Sequence, residues 1–247
     1  RSSRLRMPAH CEILNTMQSV TVPARFCGPP DSGNGGYTCG LVANAIGGVV
    51  ECMLRSPVPL EAPLNLERLQ SGGVLRHGDK VIVEATSTTI DVAPPAPIDL
   101  ETAAAAMKSS YALDARHPFP TCFVCGPERQ AHDGLEIFPA AIYESLYAAT
   151  WLPAAEFGDS QQFLRPEFLW AAMDCPTGFA AGFPIAGKLV TGRLAVEQLQ
   201  PVKVCELCLL LSWPLGVEGR KHFSAACLYQ NQNPCAVARA TWIRLEA

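Results

Sequence analysis

Long hydrophobic runs are absent from the 247-residue chain, and so are clusters of basic residues beyond its first six positions. No apolar stretch approaches the roughly 20 residues that a membrane-spanning helix requires. The formal net charge is −4, which argues against a protein that binds a nucleic-acid backbone. The segment from Arg1 to His10 has no apolar centre of the kind found in secretory signals. We therefore expect a cytoplasmic protein with no membrane span and no nucleic-acid partner.

Hydrophobic residues are plentiful, at 49% of the chain, so a large core can be buried. The eleven cysteines are odd in number, scattered and mostly embedded in apolar segments. This distribution favours reduced, buried thiols over a disulfide framework. The length fits either one large β-rich domain or two units of about 120 residues.

The same order of elements is predicted in both halves of the chain. In the first half, a strand over 20–25 and a glycine-rich loop precede a helix over 36–46, and strands over 49–58, 64–69 and 80–92 follow. Gly72-Gly73 and His77-Gly-Asp79 are predicted turns. In the second half, a strand over 143–151 and a helix over 166–181 precede strands over 189–200, 206–223, 224–230 and 236–245. A chance similarity between two β-rich halves is the alternative interpretation. We predict a weak internal repeat, with halves at 15–100 and 141–247 joined by a linker over 101–140.

Asn34, Gly35 and Gly36 stand at the predicted start of the first helix. Glycines let a ligand approach the backbone, and the first amides of a helix present their N–H groups together with the positive end of the helix dipole. Such a loop can polarise a thioester carbonyl or stabilise the oxyanion formed on attack. A plain tight turn is the alternative interpretation.

Asp174 is the only charged residue between Glu167 and Lys188, within an apolar helical segment. A buried carboxylate is costly unless it has partners. Asp174 is therefore either a catalytic group or a residue that makes local hydrogen bonds, such as a helix cap. The nearby Pro176 and Gly178 are compatible with a cap. Both interpretations stay open at this point.

Cys122 and Cys125 form a Cys-x-x-Cys motif flanked by His117 and His132. Two thiolates and two imidazoles can complete a tetrahedral Zn²⁺ site. The alternative, which we favour, is a tight turn whose thiols pack inward without a metal. On that interpretation the protein has no metal and no bound cofactor.

Three stretches of the chain carry a resemblance to a known family. Asn34-Gly-Gly-Tyr37 and Trp170-Ala-Ala-Met-Asp-Cys-Pro176 resemble the double hot-dog proteins of the acyl-CoA thioesterase family, and His117-Pro-Phe-Pro-Thr-Cys-Phe-Val-Cys-Gly126 resembles one branch of it. The resemblance covers about residues 20–245. It implies an α+β fold, the double hot-dog, in which two helix-wrapped antiparallel sheets join into one. It also implies a thioester substrate in which coenzyme A is part of the substrate.

The resemblance further implies an asymmetric site. Many members of the family carry an acidic residue about nine positions after the residue that precedes the two glycines, and it acts as base or nucleophile across a subunit interface. Here Ala43 stands nine positions after Asn34, and Arg165 stands nine positions before Asp174. One site per chain is therefore expected, made of the first-helix amides and Asp174, while the mirror site of Arg165 and Ala43 is inactive.

These interpretations predict an acyl-CoA thioesterase, with Tyr37 and Trp170 assigned to the substrate-binding surface. The alternative is a hot-dog protein that binds acyl-CoA or an acyl carrier without turnover, in which Asp174 is only a cap. A hydratase is disfavoured, because hot-dog hydratases generally carry a His about five positions after the Asp, where this chain has Phe179. Exposed sheet edges also lead us to expect a homodimer.

Overall fold

The computed structural model describes residues 17–114, 117–143 and 145–245. Within them, three α-helices accompany one antiparallel sheet of eleven strands. The helices are α1 (Gly35–Ile46), α2 (Leu100–Met107) and α3 (Pro166–Ala180). The strands are β1 (Met17–Thr21), β2 (Val50–Leu54), β3 (Pro63–Leu69), β4 (Gly72–His77), β5 (Lys80–Ser87), β6 (Ala140–Tyr143), β7 (Leu146–Trp151), β8 (Leu189–Gln198), β9 (Cys208–Glu218), β10 (Lys221–Gln230) and β11 (Asn233–Arg244). No helix in this part of the chain has the length and apolar character that a membrane span demands.

The sheet is arranged about the contact between β2 and β8, where Glu51 lies opposite Ala195 and Met53 lies opposite Arg193. On one side of this contact the strand order is β2-β5-β4-β3-β1, and on the other it is β8-β11-β10-β9-β7 with β6 at the edge. Each side therefore contains a strand, a helix and four further strands in the same chain order. The order of elements repeats across the β2–β8 contact, with one more strand in the first half than the sequence analysis predicted.

Helices α1 and α3 pack against each other with opposite directions. A Cβ atom at Gly36 would lie 2.5 Å from the Trp170 carbonyl oxygen, and one at Gly40 would lie 2.6 Å from Glu167 Cα. The start of α1 therefore meets the middle of α3, and the middle of α1 meets the start of α3. Glycines four residues apart lie on one face of a helix, so these two allow the helix backbones to approach closely.

Strand β4 is a correction to the predicted fold, since its first residues were expected to form a turn. Gly72 has a φ of +152°, and a Cβ atom there would lie 1.9 Å from the Ala85 carbonyl oxygen on the neighbouring strand. Glycine is needed at this position because of a close backbone approach within the sheet. The reversal between β3 and β4 falls on Gln70 and Ser71 instead.

The segment between β5 and α2 covers the face of the sheet opposite to α3. Ile90, Val92 and Ile98 pack against a buried cluster that includes Leu209 and Tyr229. The neighbouring residues Cys208, Leu210 and Leu228 belong instead to the main core. Side chains alternate between the two faces of a strand, so the second cluster lies on the far side of the sheet. The Tyr229 hydroxyl fixes the segment by donating a hydrogen bond to the Pro95 carbonyl.

The loop that contains the Cys-x-x-Cys motif lies beside the glycine-rich loop that precedes α1. The Phe123 N–H donates to the Cys27 carbonyl at 2.8 Å, and the Leu135 N–H donates to the Phe123 carbonyl at 2.8 Å. Phe123 and Val124 are fully buried in the main core. This packing holds the motif against both α1 and α3.

Candidate active site

The carboxylate of Asp174 connects α3 to α1 and to β8. Its Oδ2 atom accepts a hydrogen bond from the Gly36 N–H at 2.9 Å, and its Oδ1 atom accepts one from the Thr191 hydroxyl at 2.8 Å. Asp174 is only 2% exposed. Burial raises the pKa of this carboxyl to about 7, against the opposing effect of the two hydrogen bonds. The structure thus places Asp174 at the start of α1, as the sequence analysis predicted.

The N-terminus of α1 supplies one amide that is committed to Asp174 and one that is free. The side chain of Asn34 caps the helix, since its Oδ1 atom accepts from the Tyr37 N–H at 2.8 Å. The Gly36 N–H donates to Asp174. Within the described residues, the Gly35 N–H has no hydrogen-bond partner. The donor available to a ligand is therefore the Gly35 amide, whereas the sequence analysis assigned this role to Gly35 and Gly36 together.

A cavity of about 750 Å³ lies beside these groups. Asn34, Gly35, Asp174 and Thr191 all line it, and so do five other polar or charged residues, Asp31, Ser32, Arg55, Ser56 and Lys188. The apolar wall is formed by Phe119, Phe179, Phe183, Leu189, Val190 and Trp242. A volume of several hundred Å³ with few polar groups among apolar ones is typical of a small-molecule site.

Tyr37 and Trp170 do not line this cavity. The Tyr37 ring stacks on Phe26 with ring centroids 4.2 Å apart, and it packs beside Phe168 at 5.6 Å. Trp170 is 5% exposed and lies against Gly40 of α1. Both belong to the packed core around the helix pair, and their assignment to substrate binding stays a prediction.

At the mirror position, the two helices exchange roles, so that α3 would supply the amide and α1 the acid. Neither group is present there. Pro166 opens α3 where Gly35 opens α1, and proline has no N–H to donate. Ala43 is the ninth residue of α1, and Asp174 is the ninth residue of α3. Near the start of α3, the Glu167 carboxylate forms an ion pair with Arg165 at 3.3 Å.

The two cysteines of the Cys-x-x-Cys motif lie beside a third cysteine that the sequence analysis did not connect with them. Cys122, Cys125 and Cys175 have their Sγ atoms within 4.8 Å of one another. His117 contributes its Nε2 atom 3.4 Å from the Cys125 sulfur. Hydrogen bonds from the Cys125 and Cys175 thiols lower the pKa of Cys122. The hydrogen bonds with Cys122 raise the pKa of both Cys125 and Cys175.

His132 is a correction to the candidate metal ligands. Its side chain is 92% exposed and lies 4.0 Å from the Glu136 carboxylate, outside the cysteine cluster. The residue has a φ of +65°, which places it in a surface turn that points away from the core. Cys175 was missed because its contact with the motif depends on how α3 packs, and its sequence context is simply apolar.

The fold of the chain is similar to that of a solved structure over nearly its whole length. The tesB protein of Mycobacterium avium subs paratuberculosis is similar to this chain with a TM-score of 0.62 and 12% identity, and the match covers 93% of each chain. The chain therefore has a hot-dog fold similar to that of the tesB protein. The E. coli PaaI protein, from the phenylacetic acid degradation operon, matches with a TM-score of 0.41 and 14% identity over 44% of this chain and 84% of its own. A putative thioesterase from Ralstonia eutropha matches with a TM-score of 0.41 and 18% identity, over 44% and 85%. No protein-family model and no curated protein matches the chain.

Proposed function

We propose that this protein is an acyl-CoA thioesterase with a double hot-dog architecture and one asymmetric site between its two halves. The observation that carries the proposal is the Asp174 carboxylate, held 2.9 Å from the Gly36 N–H at the wall of a cavity of about 750 Å³. A carboxylate and the free Gly35 amide on one cavity wall are the two groups that thioester hydrolysis requires. The fold, which is similar to that of the tesB protein, agrees with the resemblance of the sequence to the double hot-dog acyl-CoA thioesterases.

In the proposed mechanism, Asp174 removes a proton from a water molecule as that water attacks the thioester carbonyl. The Gly35 N–H and the positive end of the α1 dipole stabilise the oxyanion of the tetrahedral intermediate. The intermediate collapses by breaking the C–S bond, and the proton held by Asp174 passes to the departing thiolate. The products are a carboxylic acid and a free thiol, and Asp174 returns to its starting state.

The cavity wall fits an acyl-CoA substrate in two respects. Its aromatic and aliphatic side chains suit an apolar acyl group, although they do not select one chain length. Arg55 and Lys188 also line the cavity. The Lys188 ammonium group can meet the phosphates of coenzyme A, whereas the Arg55 guanidinium is already paired with Glu84 at 2.6 Å. The Lys188 ammonium group lies 5.4 Å from the centre of the Phe119 ring, which links the charged and apolar parts of the wall.

A binding protein without turnover is the second candidate function, and one observation favours it. Both oxygens of the Asp174 carboxylate already accept hydrogen bonds, from Gly36 and from Thr191. In this second candidate function, the role of the carboxylate is structural, because it connects α3 to α1 and β8. In that case the cavity binds the acyl thioester and leaves the C–S bond intact.

The release of free thiol from acyl-CoA substrates of several chain lengths distinguishes the two functions, with Asp174→Asn as the test variant. An asparagine keeps the shape and both hydrogen bonds, because its oxygen accepts from Gly36 and its NH₂ group donates to the Thr191 hydroxyl. We expect kcat to fall by roughly 10² to 10⁴-fold, the range of a lost general base, with little change in substrate affinity.

Glu167→Gln is the matched control, because it also neutralises a buried carboxylate of α3 but lies at the mirror position. It should keep its turnover. Full turnover in Asp174→Asn would contradict the catalytic assignment. Binding of acyl-CoA by the wild-type protein with no thiol release would establish the second candidate function instead.

A further inference from the structure

Three cysteine side chains and one histidine from separate parts of the chain meet at the wall of the cavity. Cys122 and Cys125 come from the loop before the second half, and Cys175 comes from α3. Their residues are between 2% and 7% exposed, and His117 is 5% exposed. The proposed thioesterase mechanism uses none of these four side chains.

The spacing of the three sulfur atoms matches that of ligands around one metal ion. A tetrahedral Zn²⁺ with Zn–S bonds of about 2.3 Å holds its sulfur ligands about 3.8 Å apart. The Cys122 and Cys175 sulfur atoms are 3.7 Å apart, and all three lie within 4.8 Å of one another. This is well beyond a disulfide bond of about 2.05 Å. One ion can therefore contact all three sulfurs after small side-chain adjustments.

The backbone around the Cys-x-x-Cys motif forms a tight turn that fixes the spacing of its two cysteines. The turn is closed by the Gly126 N–H, which donates to the Cys122 carbonyl at 2.9 Å. A Cβ atom at Gly126 would lie 2.5 Å from the Cys122 nitrogen, so this tight turn requires glycine. This turn sets the positions from which the Cys122 and Cys125 side chains reach the cluster.

His117 supports the cluster by donating to it. The Phe119 N–H donates to the His117 Nδ1 atom at 3.1 Å, so Nδ1 acts as an acceptor. The proton of the neutral ring is then on Nε2, which lies 3.4 Å from the Cys125 sulfur and donates to it. The Asn34 amide nitrogen also donates to the Cys122 sulfur, at 3.9 Å. Such outer hydrogen bonds orient metal ligands and stabilise their charge.

We propose that Cys122, Cys125 and Cys175 bind one zinc ion whose fourth coordination position is open to the cavity. Three thiolates are a soft donor set that selects zinc over magnesium or calcium. All three cysteines line the cavity, while His117 does not, so the fourth ligand is a water molecule or another small molecule that enters it. The site goes beyond thioester hydrolysis and does not depend on it.

The first test measures metal directly in the full-length protein, purified under reducing conditions and exposed to Zn²⁺. After removal of free metal, elemental analysis should find about one zinc per chain. A chelator strong enough to remove it should lower the melting temperature, and added Zn²⁺ should restore it. Reduced protein that takes up no zinc and shows no change in melting temperature would overturn the proposal. So would a Cys122–Cys175 disulfide found by mass spectrometry in a parallel preparation purified without reductant.

The second test assigns the ligands. Cys122→Ser and Cys175→Ser should each lose bound zinc, whereas Cys227→Ser, which alters a buried free cysteine on the other face of the sheet, should keep it. His117→Ala should still bind about one zinc, with an affinity lowered by roughly 10- to 100-fold in competition with a chelator. Complete loss of zinc in His117→Ala would identify His117 as the fourth ligand and contradict the open position. Because metal content is the readout, this result is independent of thioesterase activity.

Discussion

Asp174 is held in place by the hydroxyl of a residue that comes from the second half of the sheet. Thr191 lies in β8, next to the β2–β8 contact, and donates to Oδ1 of Asp174 at 2.8 Å. A Cβ atom at Gly35 would lie only 3.2 Å from the Thr191 side chain. Thr191 thus borders both the proposed base and the free amide, and we identify it as a positioning residue for Asp174.

Replacing Thr191 with valine keeps the branched shape and removes the hydroxyl. A hydrogen bond to a charged group is worth about 1.5–3 kcal/mol, so we expect kcat to fall by roughly 10- to 100-fold. The value of KM should change little, because the acyl group contacts the apolar wall. Steady-state kinetics of thiol release separates the two parameters.

Thr191→Ser is the matched control for this experiment, since it retains the hydroxyl and removes only a methyl group. It should recover most of the turnover that valine loses. Equal losses in both variants would show that packing matters at this position and the hydroxyl does not.

Gly36 has a structural role that differs from the one expected from the sequence. The sequence analysis assigned this glycine to the close approach of a ligand to the backbone. In the structure, a Cβ atom at Gly36 would lie 2.5 Å from the Trp170 carbonyl oxygen and 2.6 Å from Asp174 Cβ. A substitution would therefore separate α1 from α3 before it affected any ligand.

Some site residues can be predicted from the sequence because their local context is unusual. Asp174 is a single charge in an apolar helix, and Asn34-Gly-Gly is an evident helix start. Thr191 and Cys175 have no such signal, since a threonine in a strand and a cysteine among apolar residues are both ordinary. Their roles depend on how α3 packs against β8 and against the Cys-x-x-Cys loop, which no short-range pattern encodes.

The asymmetry of the site is an asymmetry between two helices in equivalent positions. Helix α1 begins with glycine and has alanine at its ninth position, while α3 begins with proline and has aspartate there. The amide and the acid thus come from different helices, and only their antiparallel packing joins them. The geometry of this pair of helices is therefore the main requirement for the proposed activity.

Gly40→Ala tests this close packing. Alanine favours a helix over glycine by about 1 kcal/mol, which alone would stabilise the protein. However, the new Cβ atom would lie 2.6 Å from Glu167 Cα, a backbone atom that cannot rotate away. Overpacking of this kind costs about 1–3 kcal/mol, so we expect a net loss of stability. Chemical denaturation measures the change in unfolding free energy.

The exposed residue Asn44 of the same helix provides the control. Asn44→Ala should leave the free energy of unfolding unchanged or slightly higher, because alanine favours the helix and touches nothing new. If Gly40→Ala also stabilised the protein, the two helices would have more room between them than the structure shows.

The helices and strands were predicted with unequal success, for a physical reason. The predicted bounds of α1 and α3 agree with the structure to within one residue, because Asn34-Gly-Gly and Pro166 mark their starts clearly. Strand β4 was missed because a glycine pair is ambiguous between a turn and a close backbone approach. The sequence alone does not show that the Ala85 carbonyl group lies against Gly72.

The two halves form one continuous structure, joined by the sheet at β2–β8 and by the α1–α3 pair. Glu51 of β2 reinforces the junction by forming ion pairs with Arg193 at 2.6 Å and Arg239 at 3.5 Å, both from the second half. Residues of both halves belong to the same main core, including Leu75 and Leu194. Such a structure should unfold in a single cooperative transition.

The distribution of tryptophan makes this cooperativity measurable, because all four tryptophans lie in the second half, at positions 151, 170, 213 and 242. Leu75→Ala removes a fully buried side chain from β4 in the first half, at a cost of about 2–5 kcal/mol. In urea, we expect tryptophan fluorescence and far-UV circular dichroism to show the same lowered midpoint, since the second half unfolds together with the first.

Leu69→Ala is the control, because this side chain of the first half is 49% exposed. It should leave both midpoints nearly unchanged. A fluorescence midpoint that stayed at its wild-type value in Leu75→Ala would mean that the halves unfold independently, and a site shared between α1 and α3 would then be only as stable as the weaker half.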